Sequence, residues 1–248
     1  MLPKIVIGVI LLVIGVMAFG LVSRGGFGPP PISFQEIDEN NLPKFVTADF
    51  IDLDRVERIS KFRSGQGHDF SQGTGETCRS MKHYFFPLNH EGFDPNNYIP
   101  KEPYVNIYSP VDGVVSDIKE EQIKLGVQIY LEPNNYSGYF VRLFHIYPRE
   151  GLKKGDKLSA GEKLGYIGAN QGTDVAVDVR SIKGHKFVSY FEVMNDEVFQ
   201  KYKEKGASSR DDFIITKEYR DSDPLKCNGE QFAENNYNNL SDFVLLNP

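Results

Sequence analysis

From Val105 to Ile146, apolar residues fall on every second position in short runs broken by turns. Val105-Asn-Ile-Tyr108, Val114 to Ile118, Val127-Gln-Ile-Tyr-Leu131 and Phe140-Val-Arg-Leu-Phe-His-Ile146 form the series. Successive side chains of a strand point to opposite faces, so alternation sends one face to a core and leaves the other for polar groups. The breaks, Pro110-Val-Asp-Gly113 and Asn134-Asn-Tyr-Ser-Gly138, are turn sequences. Short alternating strands joined in this way argue an antiparallel β core. Phe187 to Met194 reads as a further strand, and the tail beyond Asp221 as irregular until Phe243-Val-Leu-Leu246. Asp196 to Lys205 predicts a helix stopped by Gly206, and the spacing of Leu53, Val56 and Ile59 predicts a short amphipathic helix. Residues 64–77 and 89–103 read as loops, and Ser209 to Asp212 as a polar bend.

The other strong physical signal is at the start of the chain. Ile5 to Val22 is an unbroken run of apolar residues and glycine between Lys4 and Arg24. At ~1.5 Å per residue it spans about 27 Å, close to the thickness of a bilayer core. A secretory apolar region is usually shorter, roughly 7–15 residues. The expectation is one N-terminal transmembrane helix anchoring the chain, or a secreted protein if the segment is cleaved. Ser23 to Pro31 follows as a Gly/Pro-rich linker. The expected organisation is an anchor at 1–23, a linker and extension at 24–62, the main domain at 63–194 and a C-terminal extension at 195–248.

A net charge of −6 with no basic run argues against a nucleic-acid partner. Cys78 and Cys227 are the two cysteines of the 248-residue chain. In an exported protein a distant pair suggests a disulfide, with two separate buried thiols as the alternative. Without a CxxC or CxxH pattern, a finger-type structural zinc site is not expected.

Tyr108-Ser-Pro-Val-Asp-Gly-Val-Val115, Phe144-His145, Gly155 to Gly161, Leu164-Gly-Tyr-Ile-Gly168 and Asp174-Val-Ala-Val-Asp-Val-Arg180 follow one another in an order that resembles the lysostaphin/LytM-type zinc endopeptidases. The resemblance covers roughly residues 60–194, as a degenerate member. It implies a mainly β fold, an antiparallel β-sandwich or barrel-sandwich hybrid (duplicated hybrid motif) with small helical additions. The doubled glycine turn from Leu152 to Leu164 also recurs in biotinyl and lipoyl carrier domains. A carrier needs a modifiable lysine at a hairpin tip, and no such tip is legible.

A catalytic zinc site needs three protein ligands and an open position for water. In the family, His-x-Gly-x-Asp supplies two ligands and the second His of His-x-His the third. Here Gly65 stands at the first His, Asp69 fits the carboxylate ligand, and Asp174 and Ala176 stand at the His-x-His pair. His145 fits the auxiliary catalytic histidine. Placing Val188-Ser-Tyr190 against the pair finds no histidine either. The resemblance therefore implies a peptidase-like domain that binds more readily than it cuts, and the outward orientation of the chain. No cofactor is expected, with zinc possible only if a site is rebuilt around Asp69.

Arg63, His68, Asp69, Arg79, Lys82 and His83 concentrate before the core and are expected to line one groove wall, with Asp174 a further candidate binding residue. Arginines pair bidentately with carboxylates, so such a wall suits a cell-wall peptide or glycan, or an envelope protein. A polar plug over the cleft is the competing expectation. Cys78 with His68 or His83 could serve as a nucleophile only if its sulfur is free. His90 and His185, next to loop glycines, read as solvated.

Overall fold

The computed structural model describes residue 38 and residues 41–88, 99–121, 125–234 and 239–247. The apolar run 5–22, the linker after it and His90 lie outside the described residues. Among the described residues no helix is long and apolar enough to cross a membrane.

The core is one large antiparallel sheet whose strands run β13 (Phe243–Leu245), β1 (Val56–Ser60), β2 (His83–Pro87), β9 (Thr173–Ser181), β6 (Tyr139–Pro148), β5 (Val127–Pro133), β4 (Gly113–Glu120) and β7 (Lys157–Leu158). The alternating segments become β3 (Val105–Tyr108), β4 (Gly113–Glu120), β5 (Val127–Pro133) and β6 (Tyr139–Pro148). The doubled turn yields β7 (Lys157–Leu158) and β8 (Lys163–Ile167), the latter bridging β3 and β6. Gly165 is needed there because its Cα packs onto a neighbouring strand: an added Cβ would lie 2.1 Å from the Tyr147 carbonyl oxygen.

At the centre is β9 (Thr173–Ser181). One edge pairs with β6 and the other with β2 (His83–Pro87) and then β10 (Gly184–Val188), end to end. Its alternation separates two environments. Val175, Val177 and Val179 enter the main core with Val141 and Leu143 of β6. Asp174, Ala176, Asp178 and Arg180 take the other face, by the period of two. Ala176 packs there with Phe62, Met81, Phe144, Phe187 and Phe70.

Two sequence expectations need correction. Leu53 to Ile59 is not an amphipathic helix: a single 3-10 turn at Leu53–Arg55 leads into β1 (Val56–Ser60). β1 lies between β2 and β13 (Phe243–Leu245), so ladder pairing on both sides overrides a weak helical spacing. The run from Phe187 to Met194 leaves the sheet after Val188, where Ser189 and Glu192 form a reciprocal capping box and start a 3-10 turn. The helix at 196 is present as α1 (Asp196–Glu204), capped by Asn195 and ended at Gly206 with φ +105°. The polar bend is a 3-10 turn at Arg210–Phe213, followed by α2 (Lys217–Ser222).

Through β1 and β13 the sheet continues on both sides of 63–194. The loop before β2 folds over the face of β9 that carries the carboxylates. It is fastened to the C-terminal segment by Asp69 N–H to the Glu230 carbonyl at 2.8 Å, and by Gly65 N–H to Asp242 Oδ2 at 3.0 Å. Cys78 and Cys227 form the disulfide, with Cα atoms 5.7 Å apart, joining this loop to the short hairpin β11 (Cys227–Asn228) and β12 (Gln231–Phe232). Cys78 is thereby unavailable as a nucleophile.

Candidate functional site

The face of β9 under the loop gathers an unusual set of charges. Lys82, the residue before β2, places its Nζ 2.7 Å from Asp174 Oδ2. Asp174 is fully buried and Lys82 nearly so. The ammonium also lies 3.9 Å from the centre of the Phe144 ring and 4.3 Å from that of Phe70. An ammonium over aromatic faces is attracted by the ring quadrupole, more strongly where water is excluded.

His68 supplies a further contact, with Nε2 3.3 Å from Lys82 Nζ. Its Nδ1 lies 2.9 Å from the Asp69 carbonyl oxygen, which can only accept, so Nδ1 carries the proton and Nε2 presents a lone pair to the ammonium. Burial, and then the Lys82 charge, hold the His68 pKa below its ordinary value, which keeps the ring neutral.

His145 is brought to the same point by a bulge. Val127 faces Ile146 and Ile129 faces Leu143, so two steps along β5 match three along β6. The extra residue breaks the alternation, and His145 takes φ +64°. Its side chain then joins that of Phe144 on the β9 face. Nε2 approaches Asp174 Oδ1 at 3.1 Å, while Nδ1 meets the Glu121 carboxylate, whose other oxygen accepts the His145 backbone N–H at 3.1 Å. Burial alone would pull the imidazole pKa down. Asp174 and Glu121 outweigh it and hold the value up at about 9. Burial would likewise raise Asp174, but Lys82 and His145 hold it below the usual carboxylate range. The result is an alternating row of charges, Lys82, Asp174, His145 and Glu121, neutral in sum.

The remaining expected residues divide. Arg63 and Arg79 do not reach the cleft with free guanidinium groups. Both grip Glu76, at 2.8 Å each, and Arg79 also reaches Asp221 at 2.8 Å. These contacts tie the loop to itself and to α2. Asp69 uses Oδ1 to accept the backbone N–H of Ser71 at 3.0 Å and of Arg79 at 3.1 Å, a turn-forming role. His83 is buried behind the sheet face, its Nδ1 donating to the Ser60 carbonyl and its Nε2 facing the Ser189 hydroxyl, each at 2.9 Å. Burial drops its pKa to about 4, so it is a neutral structural histidine.

Several residues were not legible as site residues in the sequence. Asp178 is fully buried and holds His185 Nε2 at 2.7 Å and Arg180 at 2.8 Å. His185 is therefore partnered rather than simply solvated. Arg142, Phe70 and Phe187 complete a pocket of about 220 Å³ with His68, Asp69, Gln72, His185 and Glu230. The signal was present in β9, where Asp174, Asp178 and Arg180 repeat on one face, and in β6, where Phe140, Arg142 and Phe144 do. A larger depression of about 760 Å³ beside α2, lined by Lys61, Thr216, Arg220 and Asp242 among others, holds no histidine or cysteine.

The donor set does not fit zinc. A ligating histidine must offer a lone pair, and both ring nitrogens of His145 face carboxylates. The nearest carboxylate, Asp174, is already neutralised by the Lys82 ammonium. Among the described residues no group of three or more His, Cys, Asp or Glu side chains is placed to hold a metal ion.

No protein-family model matches the chain. No curated protein matches it either. The solved structures similar to part of it include these two. One, described as a glycyl-glycine endopeptidase LytM from Ruminococcus gnavus, is 19% identical over 45% of this chain and 44% of that one, with a TM-score of 0.34. The other is the solution structure of lysostaphin, 16% identical over 52% of each chain, with a TM-score of 0.31. The chain thus spans about half the length of the solved structures it matches. The partial match is to the LytM/lysostaphin-like fold that the sequence motifs resemble.

Proposed function

We propose that this chain is a peptidase-like module of the cell envelope that binds rather than cuts. The observation that carries the reading is the closed row of charges from Lys82 to Glu121. A hydrolase of the zinc type needs a metal-activated water. Here the two basic groups nearest the buried carboxylate, Lys82 and His145, are held between Asp174 and Glu121, so neither is free to take a proton from a water. What remains is a polar and aromatic pocket beside that row, suited to recognition of a cell-wall peptide or glycan, or of a protein partner.

The apolar run Ile5 to Val22 supports membrane anchoring, with the described residues on the extracytoplasmic side, or secretion if the run is cleaved. The Cys78–Cys227 disulfide supports the same side, since such bonds persist in oxidising compartments.

The test is incubation of the purified full chain with cell-wall fragments, followed by mass spectrometry of the fragments and elemental analysis of the protein. The expected outcome is retention of fragments without cleavage, and zinc well below one ion per chain. Fragment cleavage that a chelator abolishes would establish an active metalloendopeptidase with a non-standard site and overturn the reading.

A further inference from the structure

Charge pairing on the β9 face leaves a cation over. Lys82 and His145 share Asp174 and Glu121, and Arg180 pairs with Asp178, whose other oxygen lies 2.7 Å from His185 Nε2. Among the described residues, no carboxylate lies within ion-pair distance of Arg142. Its Nη2 donates to Gln128 Oε1 at 3.2 Å, and its Nε is buried with no acceptor. The guanidinium is instead held between aromatic faces, with Tyr130 at 4.7 Å and Phe70 and Phe144 at 5.1 Å each. It lines the pocket of about 220 Å³.

We propose that this pocket receives the C-terminal carboxylate of a short peptide, with Arg142 as the residue that binds it. The inference rests on the binding reading above and names the ligand for it. A guanidinium presents a flat fork of donors that matches a carboxylate, and a half-buried cation without a counter-ion gains most from an anion delivered to it. The Phe70 and Phe187 rings, 4.8 Å apart, form an apolar wall beside it for the terminal side chain. At the rim Gln72 donates to Glu230 at 3.1 Å, which offers polar atoms to the peptide backbone as it leaves. The volume admits a terminal residue and little more. A neutral glycan brings no charge to Arg142.

The experiment titrates the full chain with acetyl-alanyl-alanine, with its C-terminal amide and with a neutral N-acetylglucosamine oligomer, followed by calorimetry or amide chemical shifts. The free acid is expected to bind at least about tenfold more tightly than the amide, the worth of a charge-assisted hydrogen bond. Arg142→Gln is expected to abolish the preference for the acid over the amide. Should the Gln variant not fold, Arg142→Lys keeps the charge without the fork and is expected to lose part of the preference. Equal affinity for acid and amide, no binding of the acid, or preference for the oligomer overturns the inference. Uncut wall fragments bound without preference for an acid overturn this inference alone. Cleavage of the fragments overturns the binding reading, while the acid–amide comparison still reports on Arg142.

Discussion

Lys82 and Asp174 meet at 2.7 Å with both side chains buried, and the ammonium is the main influence holding the buried Asp174 carboxyl in its charged form. Removing one partner of a buried pair leaves an uncompensated charge, which costs about 3–5 kcal/mol. Lys82→Met is expected to cost that much in urea denaturation. Lys82→Met combined with Asp174→Asn is expected to cost less than the two single changes together, by at least about 1 kcal/mol. Strict additivity would show that the pair is not coupled.

His145 predicts the alkaline side of the stability curve. Its folded pKa of about 9 lies above the ordinary 6.5, so the folded state holds the proton more tightly than the unfolded one. That contribution, up to about 3 kcal/mol, is fully present below pH 6.5 and is lost as pH rises through 9. Thermal melts across this window are expected to show a declining limb in the native chain and a flatter one in His145→Gln. An identical limb in both would place the loss elsewhere.

His83 works in the opposite direction. It is held neutral, with a folded pKa near 4 against an ordinary 6.5, so the unfolded state binds its proton first. Stability is expected to fall as pH drops from 6.5 towards 4 and to gain nothing further from this group below that. The check is the same melt series on His83→Asn, which should lose this part of the acid limb whatever its stability at neutral pH.

Two glycines separate close packing from turn conformation. Gly165→Ala would force a Cβ to 2.1 Å from a backbone oxygen and is expected to give little folded protein. Gly155 has φ +92° with nothing within 4 Å of an added Cβ, so Gly155→Ala should cost about 1–2 kcal/mol, the left-handed penalty alone. Soluble yield and melting temperature distinguish them, and similar losses at both positions would contradict the packing at β8.

Cys78 and Cys227 close a loop across a sequence separation of 149. In the chain-entropy model such a link contributes about 5 kcal/mol. Cys78→Ser with Cys227→Ser is expected to lose a sizeable part of this in denaturant titration. Unchanged stability would mean that the hydrogen bonds from Gly65 and Asp69 fasten the loop on their own.

The sheet was legible because alternation and turns are local signals. The boundaries of β3 to β6 follow from residues such as Val105, Gly113 and Gly138, whose roles depend on near neighbours. The site was half legible. Asp174, His145 and His68 could be named by residue type and by resemblance. Their partners could not: Lys82 meets Asp174 across a gap of 92 residues, and Glu121 meets His145 across a gap of 24. The bulge that turns His145 inward leaves no mark in composition. Arg63 and Arg79 misled in the opposite way, because only the folded loop shows that Glu76 occupies them both.

The bridge from Cys78 to Cys227 also sets an order of events during synthesis. Every strand from β2 to β10 is translated inside the interval that the bridge encloses. The sheet can therefore assemble while the wall bearing His68, Asp69 and Phe70 still lacks its covalent anchor. A nascent chain therefore has this sheet face before Glu230, translated after Cys227, can complete the pocket over it.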